Sequence, residues 1–385
     1  MKFFHLSDLH IGKQLNGYSL QANQREVLSQ VVEYARQERP QAVLICGDIY
    51  DKSVPSAEAG TLLDSFLTEL AGLEIPVLVI SGNHDSGERL SYAGGFLANH
   101  QIHMGARLPQ EEGERLKKVT LTDEHGPVHF YLLPFLKPGY VRRLFPEGRV
   151  TDYQSAVEAL LEREEINWQE RNVILSHQFY VWKGQKPQTC DSETAVLTSG
   201  GLDAVDARVL ERFDYAALGH IHGGQQVGRL HIRYSGSPYK YSVSEEHHRK
   251  AVVAVELGEK GQEPQLSFLP LRGIQDVRRV RGSLEEICRA AGEGCQDFVS
   301  VTVTDNQEPF DLREQVERSY ACLLELRVDN ERTRAQLALE EEELPAPAPL
   351  EAFEQFYQAV CGRGLESKEK QVLGELLAEL KEEIV

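Results

Sequence analysis

Five short apolar runs in this chain each lead into a polar cluster, and no other feature limits its possible folds so tightly. Phe3-Phe4-His5-Leu6 leads into Asp8-Leu9-His10, and Ala42-Val43-Leu44-Ile45-Cys46 into Gly47-Asp48. Val77-Leu78-Val79-Ile80 leads into Gly82-Asn83-His84-Asp85, Val173-Ile174-Leu175 into Ser176-His177, and Tyr215-Ala216-Ala217-Leu218 into Gly219-His220-Ile221-His222. Short apolar runs bounded by turn residues read as buried strands. Amphipathic helices separate them. The segment Asn23 to Glu38 places Val27, Leu28, Val31, Val32 and Ala35 on one face and stops at Pro40. The segment Ser56 to Leu70 offers Ser56 as its cap and turns Leu62, Leu63, Phe66, Leu67 and Leu70 inward. Strand and helix alternating in this way predict an α/β sandwich, with ligands held beyond the carboxyl ends of the strands, where all five clusters fall.

The clusters supply seven candidate metal ligands: Asp8, His10, Asp48, Asn83, His177, His220 and His222. Singly the first two clusters are weak, because Gly-Asp is a common turn and Asp-x-His at a strand end is as readily a turn as a ligand pair, while Gly82-Asn83-His84-Asp85 and Gly219-His220-Ile221-His222 are more specific. Together, oxygen and imidazole donors without thiolate suit manganese, magnesium, iron or zinc. Two ions need a shared ligand, and Asp48, alone after its Gly47 turn, is the candidate bridge. Ions ~3.5–4 Å apart can hold a hydroxide and clamp a phosphoryl oxygen, bringing the pKa of bound water toward ~7. Asn83 contributes a neutral oxygen. His84 follows it and points elsewhere, which suits a general acid for the leaving oxygen, with Asp85 holding its second nitrogen. The expected catalytic residues are therefore His84 and Asp85, in a two-metal phosphoesterase.

At 385 residues the chain exceeds one core, and its pattern changes near Gly273. Residues 1–272 form the expected catalytic domain and 273–338 a small α+β domain. The latter reads as strand Val277 to Val280, helix Ser283 to Ala291, strand Phe298 to Val303, a helix from Asp311, and strand Leu323 to Val328. Residues 339–349, an acidic Glu run followed by alternating Pro and Ala, read as an extended linker. Residues 350–385 read as two amphipathic helices around Gly362-Arg363-Gly364, too short to bury their apolar faces unaided, so a partner surface, or docking back on the main domain, is expected there.

No stretch of 18 apolar residues occurs and nothing resembles a signal peptide, so a soluble, cytoplasmic protein without membrane attachment is expected. The six scattered cysteines read as reduced structural thiols, with Cys46 in the core. His5, His100, His103, His125, His129 and His231 lack partners at ligand spacing, and His247 and His248 lie in a charged turn. Ser235 and Ser237 read as a turn that can touch substrate. A net charge of −19 argues against binding nucleic acid by bulk electrostatics. Locally, Arg143, Lys183, Lys186, Lys240, Arg278, Arg279 and Arg281 are candidates for phosphate contacts.

The ordered set DLH, GD, GNHD, SH and GHIH resembles the calcineurin-like metallophosphoesterase superfamily. HLSDLHIGK (His5 to Lys13), GDIYD (Gly47 to Asp51), FDYAALGHIH (Phe213 to His222) and YSGSPYKYS (Tyr234 to Ser242) are similar to its bacterial SbcD nuclease-subunit branch. The resemblance implies a β-sandwich flanked by helices (αββα), a DNA-contacting cap and a C-terminal helical hairpin. It groups Asp8, His10, Asp48 and His222 around one ion and Asp48, Asn83, His177 and His220 around the other, with His84 outside both. Manganese is the implied metal, magnesium the alternative. The implied activity is ATP-dependent 3′–5′ exonuclease action on double-stranded DNA and endonuclease action on single strands and hairpins, in repair, recombination and replication. The implied partners are DNA, an SMC-type ATPase (SbcC) that brings the ATP and grips the C-terminal helices, and a second copy paired through the first helices. Asp51 stands where other relatives carry a second histidine, leaving its role open. Two alternatives remain: a phosphatase acting on a phosphoprotein or small phosphoester, and a non-catalytic ATPase-binding scaffold.

Overall fold

The computed structural model describes residues 1–193, 204–292, 294–307 and 311–334, with short pieces between 353 and 373. Two six-stranded sheets stack face to face. The first runs in the order Gln265–Pro270, Ala251–Glu256, Lys2–Leu6, Ala42–Cys46, Val77–Ile80, Ile102–Gly105, its last four strands parallel. The second runs Gln225–Val227, Arg229–Tyr234, Tyr215–Leu218, Arg171–Ser176, Gly126–Leu133, Lys117–Asp123, with four central parallel strands.

Side-chain alternation assigns each strand's two faces. Phe3, Leu44, Cys46, Leu78 and Ile80 meet Phe130, Val173, Leu175, Tyr215 and Ala217 between the sheets. Phe4, Leu6, Val43, Ile45, Val77 and Val79 point outward against the helices Gln21–Glu38 and Ala57–Gly72. On the far side Tyr131, Leu133, Ile174 and Ala216 meet the helix Tyr153–Arg163. A strand covered on both faces must be apolar throughout, which is why these runs are continuous rather than alternating. The result is helix, sheet, sheet, helix. Ser56 caps its helix as expected, accepting from the Ala59 N–H at 3.2 Å. The first helix begins two residues earlier than its apolar face suggests, at Gln21.

The small unit is a parallel sheet of Val277–Gly282, Cys295–Val303 and Tyr320–Val328, covered by the helices Leu284–Ala290 and Leu312–Ser319. Ser283 opens the first helix with a reciprocal cap to Glu286. Its own core holds Ile287, Val299, Val301 and Val316. Val277 and Phe298 instead join the main core, with the Phe298 ring 5.9 Å from that of Tyr18, and Asn16 Nδ2 donates to Leu324 O at 2.9 Å. Removing the Phe298 ring would cost roughly 3–5 kcal/mol and loosen this junction. Among the described residues no helix is long and apolar enough to cross a membrane. The linker 339–349 lies outside the described residues, as does most of 350–385.

Candidate metal centre

The five strand ends converge. Four of the seven ligand candidates leave their strands at positive φ: Asp8 (54°), His10 (42°), Asp48 (49°) and His220 (104°). Such backbone costs of order 1–3 kcal/mol per side-chain-bearing residue and persists only where surrounding bonds impose it. Here the Asp8 N–H donates to Gly47 O (3.0 Å), the His10 N–H to Asp48 O (2.9 Å) and the His220 N–H to Asp8 Oδ1 (3.0 Å). Glycine precedes two of the turns because the loops nearly touch. A Cβ on Gly219 would lie 1.9 Å from the Cys46 carbonyl oxygen, and one on Gly47 2.3 Å from His177 Nδ1.

Two donor groups result. In one, atoms of Asp8, His10 and His222 lie within 4.8 Å of one another, and the Nε2 atoms of His10 and His222 are 3.2 Å apart. In the other, Asp8, Asp48 and His177 gather within the same limit. Asn83 Oδ1 stands 3.2 Å from His177 Nε2 and 3.0 Å from His220 Nδ1. Asp48 Oδ2 faces both groups, 3.5 Å from His10 Nε2 and 3.3 Å from His177 Nε2. All seven sequence candidates are thus brought to one place.

Hydrogen bonds select which nitrogens face inward. His177 Nδ1 donates to Cys46 O at 2.7 Å, leaving Nε2 as the inward lone pair. His222 Nδ1 meets Ser192 Oγ at 2.7 Å, which directs its Nε2 to His10. Burial pushes His10 and His220 down, the latter to about 3, so both are neutral donors. Burial opposes charge on Asp48, but His177 and His10 hold its carboxyl well below the ordinary value. His177 rises to about 9 against its burial, chiefly through Asp48. A proton on His177 balances Asp48 in the protein alone, and a divalent cation held by these residues would supply that positive charge instead. The residues fit such cations: Asp8 and Asp48 are 0% and 2% exposed, and among the described residues no lysine or arginine bonds to either.

His84 lies beside this cage. Its main-chain N–H donates to Asp48 Oδ1 (2.9 Å), its Nδ1 meets the Asp51 carbonyl oxygen (2.9 Å), and its ring centroid is 4.8 Å from that of His10. The expectation that Asp85 holds the His84 ring is corrected. Asp85 accepts from the N–H groups of Ile49 (3.0 Å), Tyr50 (3.0 Å) and Gly82 (2.9 Å), so it staples the two ligand loops together. Burial and the nearby Asp48 push its carboxyl up to about 6. The Asp51 side chain pairs with Lys13 at 2.8 Å.

Sequence reasoning missed the support behind these ligands. Gln24 Nε2 donates to His10 O (2.7 Å), while its Oε1 accepts from the Gly12 N–H (3.1 Å). Behind His222, Ser192 Oγ donates to Glu245, and Lys250 joins Glu245, His222 O (2.9 Å) and Ser237 Oγ (2.7 Å). Glu193 Oε1 accepts from the His222 N–H at 2.7 Å. Ser237, read as a turn open to substrate, is buried in this network, and Ser235 Oγ is 2.7 Å from Ser7 Oγ. Four of the proposed phosphate contacts are also revised, since Lys240 pairs with Asp276, Arg278 with Asp297, Arg279 with Glu246 and Arg281 with Asp329. The signal for these pairs was only the acidic surplus itself, as their partners are far away in sequence.

Residues 1–224 match the calcineurin-like phosphoesterase family, and residues 274–360 match a family described as the type 5 capsule protein repressor C-terminal domain. The SbcD chain of the Staphylococcus epidermidis nuclease SbcCD is 33% identical over 290 residues, covering 74% of each chain. Its counterpart in Staphylococcus saprophyticus is 31% identical over 290 residues, 74% of this chain and 73% of the relative. Among solved structures, the crystal structure of TT1561 from Thermus thermophilus overlays 70% of this chain and 99% of its own at a TM-score of 0.40 and 12% identity.

Proposed function

The chain belongs to the calcineurin-like phosphoesterases and, among them, to the SbcD nuclease subunits, and from that premise we propose a two-cation cleavage of DNA phosphodiesters with His84 as general acid. Metal-dependent hydrolysis of phosphodiesters follows from membership. The finer reading is manganese as the metal, 3′–5′ exonuclease action on duplexes and endonuclease action on single strands and hairpins. The observation that carries the two-ion assignment is Asp48 Oδ2, which faces His10 on one side and His177 on the other.

When bound, the cations supply an acidified water and positive charge on the phosphoryl oxygens. The protein's own work is positional. Asp8, His10, Asp48 and His222 would hold one cation, and Asp48, Asn83, His177 and His220 the other. Cys46 O and Ser192 Oγ fix two of the imidazoles, so the donor set is formed before substrate arrives. Because the Asp51 carbonyl engages His84 Nδ1, proton transfer to the leaving oxygen falls to Nε2. A second reading of His84 has an observation behind it, since atoms of His10, Asp48 and His84 also lie within 4.8 Å of one another. Metal content of a His84→Ala chain separates acid from ligand.

The relatives are subunits of SbcCD, and the same assembly is proposed here: an SbcC-type ATPase gripping residues 350–385, with ATP acting through it and two copies paired through their first helices. Exposed Phe356 and Val372, 64% and 56% accessible, support a partner on that segment. Deleting residues 345–385 should end co-purification with SbcC while leaving manganese binding intact. The deciding assay offers end-labelled duplex DNA and a p-nitrophenyl phosphate ester, each with manganese, with and without SbcC and ATP. Cleavage of the ester alone under every condition would reject the nuclease reading in favour of a small-ester phosphatase.

A further inference from the structure

Beside the metal centre lies a cleft of about 690 Å³ that the catalytic assignment does not use. One wall is the ligand loop itself, with Asn83 and Asp85, and the other carries Arg107, Lys137 and Arg143 with the rings of Phe135 and Tyr140. The volume falls in the range that encloses a nucleotide-sized ligand.

The charge of this wall suits an anion. On a chain of net charge −19, the cations of the small unit are neutralised by carboxylates, as Arg278, Arg279 and Arg281 are. Arg107, Lys137 and Arg143 are exposed, and no ion pair engages them among the described residues; Arg143 donates only to the neutral Gln110 amide, at 2.6 Å. Of the two acids on the lining, Asp85 is occupied by three backbone N–H groups and Glu88 accepts from Ser86 Oγ. Arg107 acts at longer range on Glu114, but none of the three has a carboxylate within ion-pair distance among the described residues, and three such cations facing one cleft form an anion track. The rings add a second element. Tyr140 is 53% exposed, and Phe135 lies edge-on to His177 with centroids 6.5 Å apart, so apolar faces extend from solvent to the metal centre. Cations for a backbone and aromatic faces for bases are what an unpaired nucleic-acid strand requires.

We propose that this cleft is a channel for single-stranded nucleic acid, with Arg107, Lys137 and Arg143 on its phosphates and Tyr140 stacked on a base, leading the strand to the scissile phosphate. The proposal rests on the nuclease reading and names where its substrate lies. A duplex does not present unstacked bases, so the channel serves strands, loops and frayed ends.

The test uses the full chain with manganese, carrying His84→Ala so that the strand stays intact, and a fluorescein-labelled oligothymidylate read by anisotropy over a salt series. The triple change Arg107→Gln, Lys137→Gln, Arg143→Gln is compared with Arg36→Gln, Arg208→Gln, Arg229→Gln, which removes equal charge from surface ion pairs elsewhere. The groove variant should bind at least ~10-fold more weakly at low salt, with a salt dependence shallower by about 2 because each single-strand phosphate contact contributes ~0.7. Tyr140→Ala should weaken binding at least ~5-fold. Equal binding by the two triple variants, or no binding by the His84→Ala chain, overturns the channel. Cleavage by the unaltered chain is measured separately: a chain that cuts DNA while the triple variants bind alike loses only the channel, whereas one that cuts no DNA loses the nuclease reading.

Discussion

His84 Nδ1 sits 2.9 Å from the main-chain carbonyl oxygen of Asp51, so backbone orients that side of the ring. An acid held this way keeps one nitrogen as a permanent donor and exchanges its proton at the other. His84→Ala should lower kcat by roughly 10²–10⁴-fold while metal analysis still finds both ions. Loss of an ion from that variant would make His84 a ligand and remove the general acid from the scheme.

Asp85 binds three backbone N–H groups from two loops, so its contribution is to the shape of the site. Asp85→Asn exchanges one acceptor oxygen for an NH2 that faces donors. Unfolding free energy should fall by about 1.5–3 kcal/mol, with activity reduced at every pH and the shape of the pH–rate profile unchanged. A displaced profile would return Asp85 to the proton path.

Ser192 Oγ stands between His222 Nδ1 and Glu245 and is the nearest support of one ligand. Losing such a partner typically costs 10–100-fold in metal affinity. Ser192→Ala should therefore require ~10–100-fold more manganese for half-maximal activity and recover near-normal kcat when manganese is saturating. An unchanged manganese titration would mean that Ser192 does not position His222.

The strand-end clusters were legible because each belongs to one local pattern, an apolar run followed by polar residues. Helix faces were legible for the same reason, from Val27 to Ala35 and from Leu62 to Leu70. What escaped depends on contacts between distant segments. Nothing near Ser192 indicates that residue 222 lies against it, and nothing near Asp85 shows that the N–H groups of Ile49 and Tyr50 converge on it. The left-handed backbone at Asp8, His10 and Asp48 was equally hidden, since local preference opposes it and only loop-to-loop bonds impose it. The half-exposed strand Lys117–Asp123, with Lys, Thr and Asp along it, lacks the continuous apolar signature of the central strands.

That same edge strand holds a buried ion pair that makes stability depend on pH. Asp123 receives Arg171 in a two-point contact, one arm at 3.0 Å, with side chains 0% and 2% exposed. The Arg171 guanidinium holds the Asp123 carboxyl well below its ordinary value. A carboxyl depressed on folding stabilises fully above its unfolded pKa of ~3.9, and that contribution drains away as pH falls toward the folded value. Asp123 also pairs with the buried Met1 ammonium at 2.7 Å, so Asp123→Asn leaves two buried cations without their counter-charge and should cost about 3–5 kcal/mol at neutral pH. Urea unfolding of both chains across a pH series should give a gap that is flat between about pH 5 and 7, below the range where the N-terminal ammonium titrates, and narrows below about pH 4. A gap that stays constant into acid would show that the Asp123 carboxyl is not depressed, and that the loss comes from packing instead.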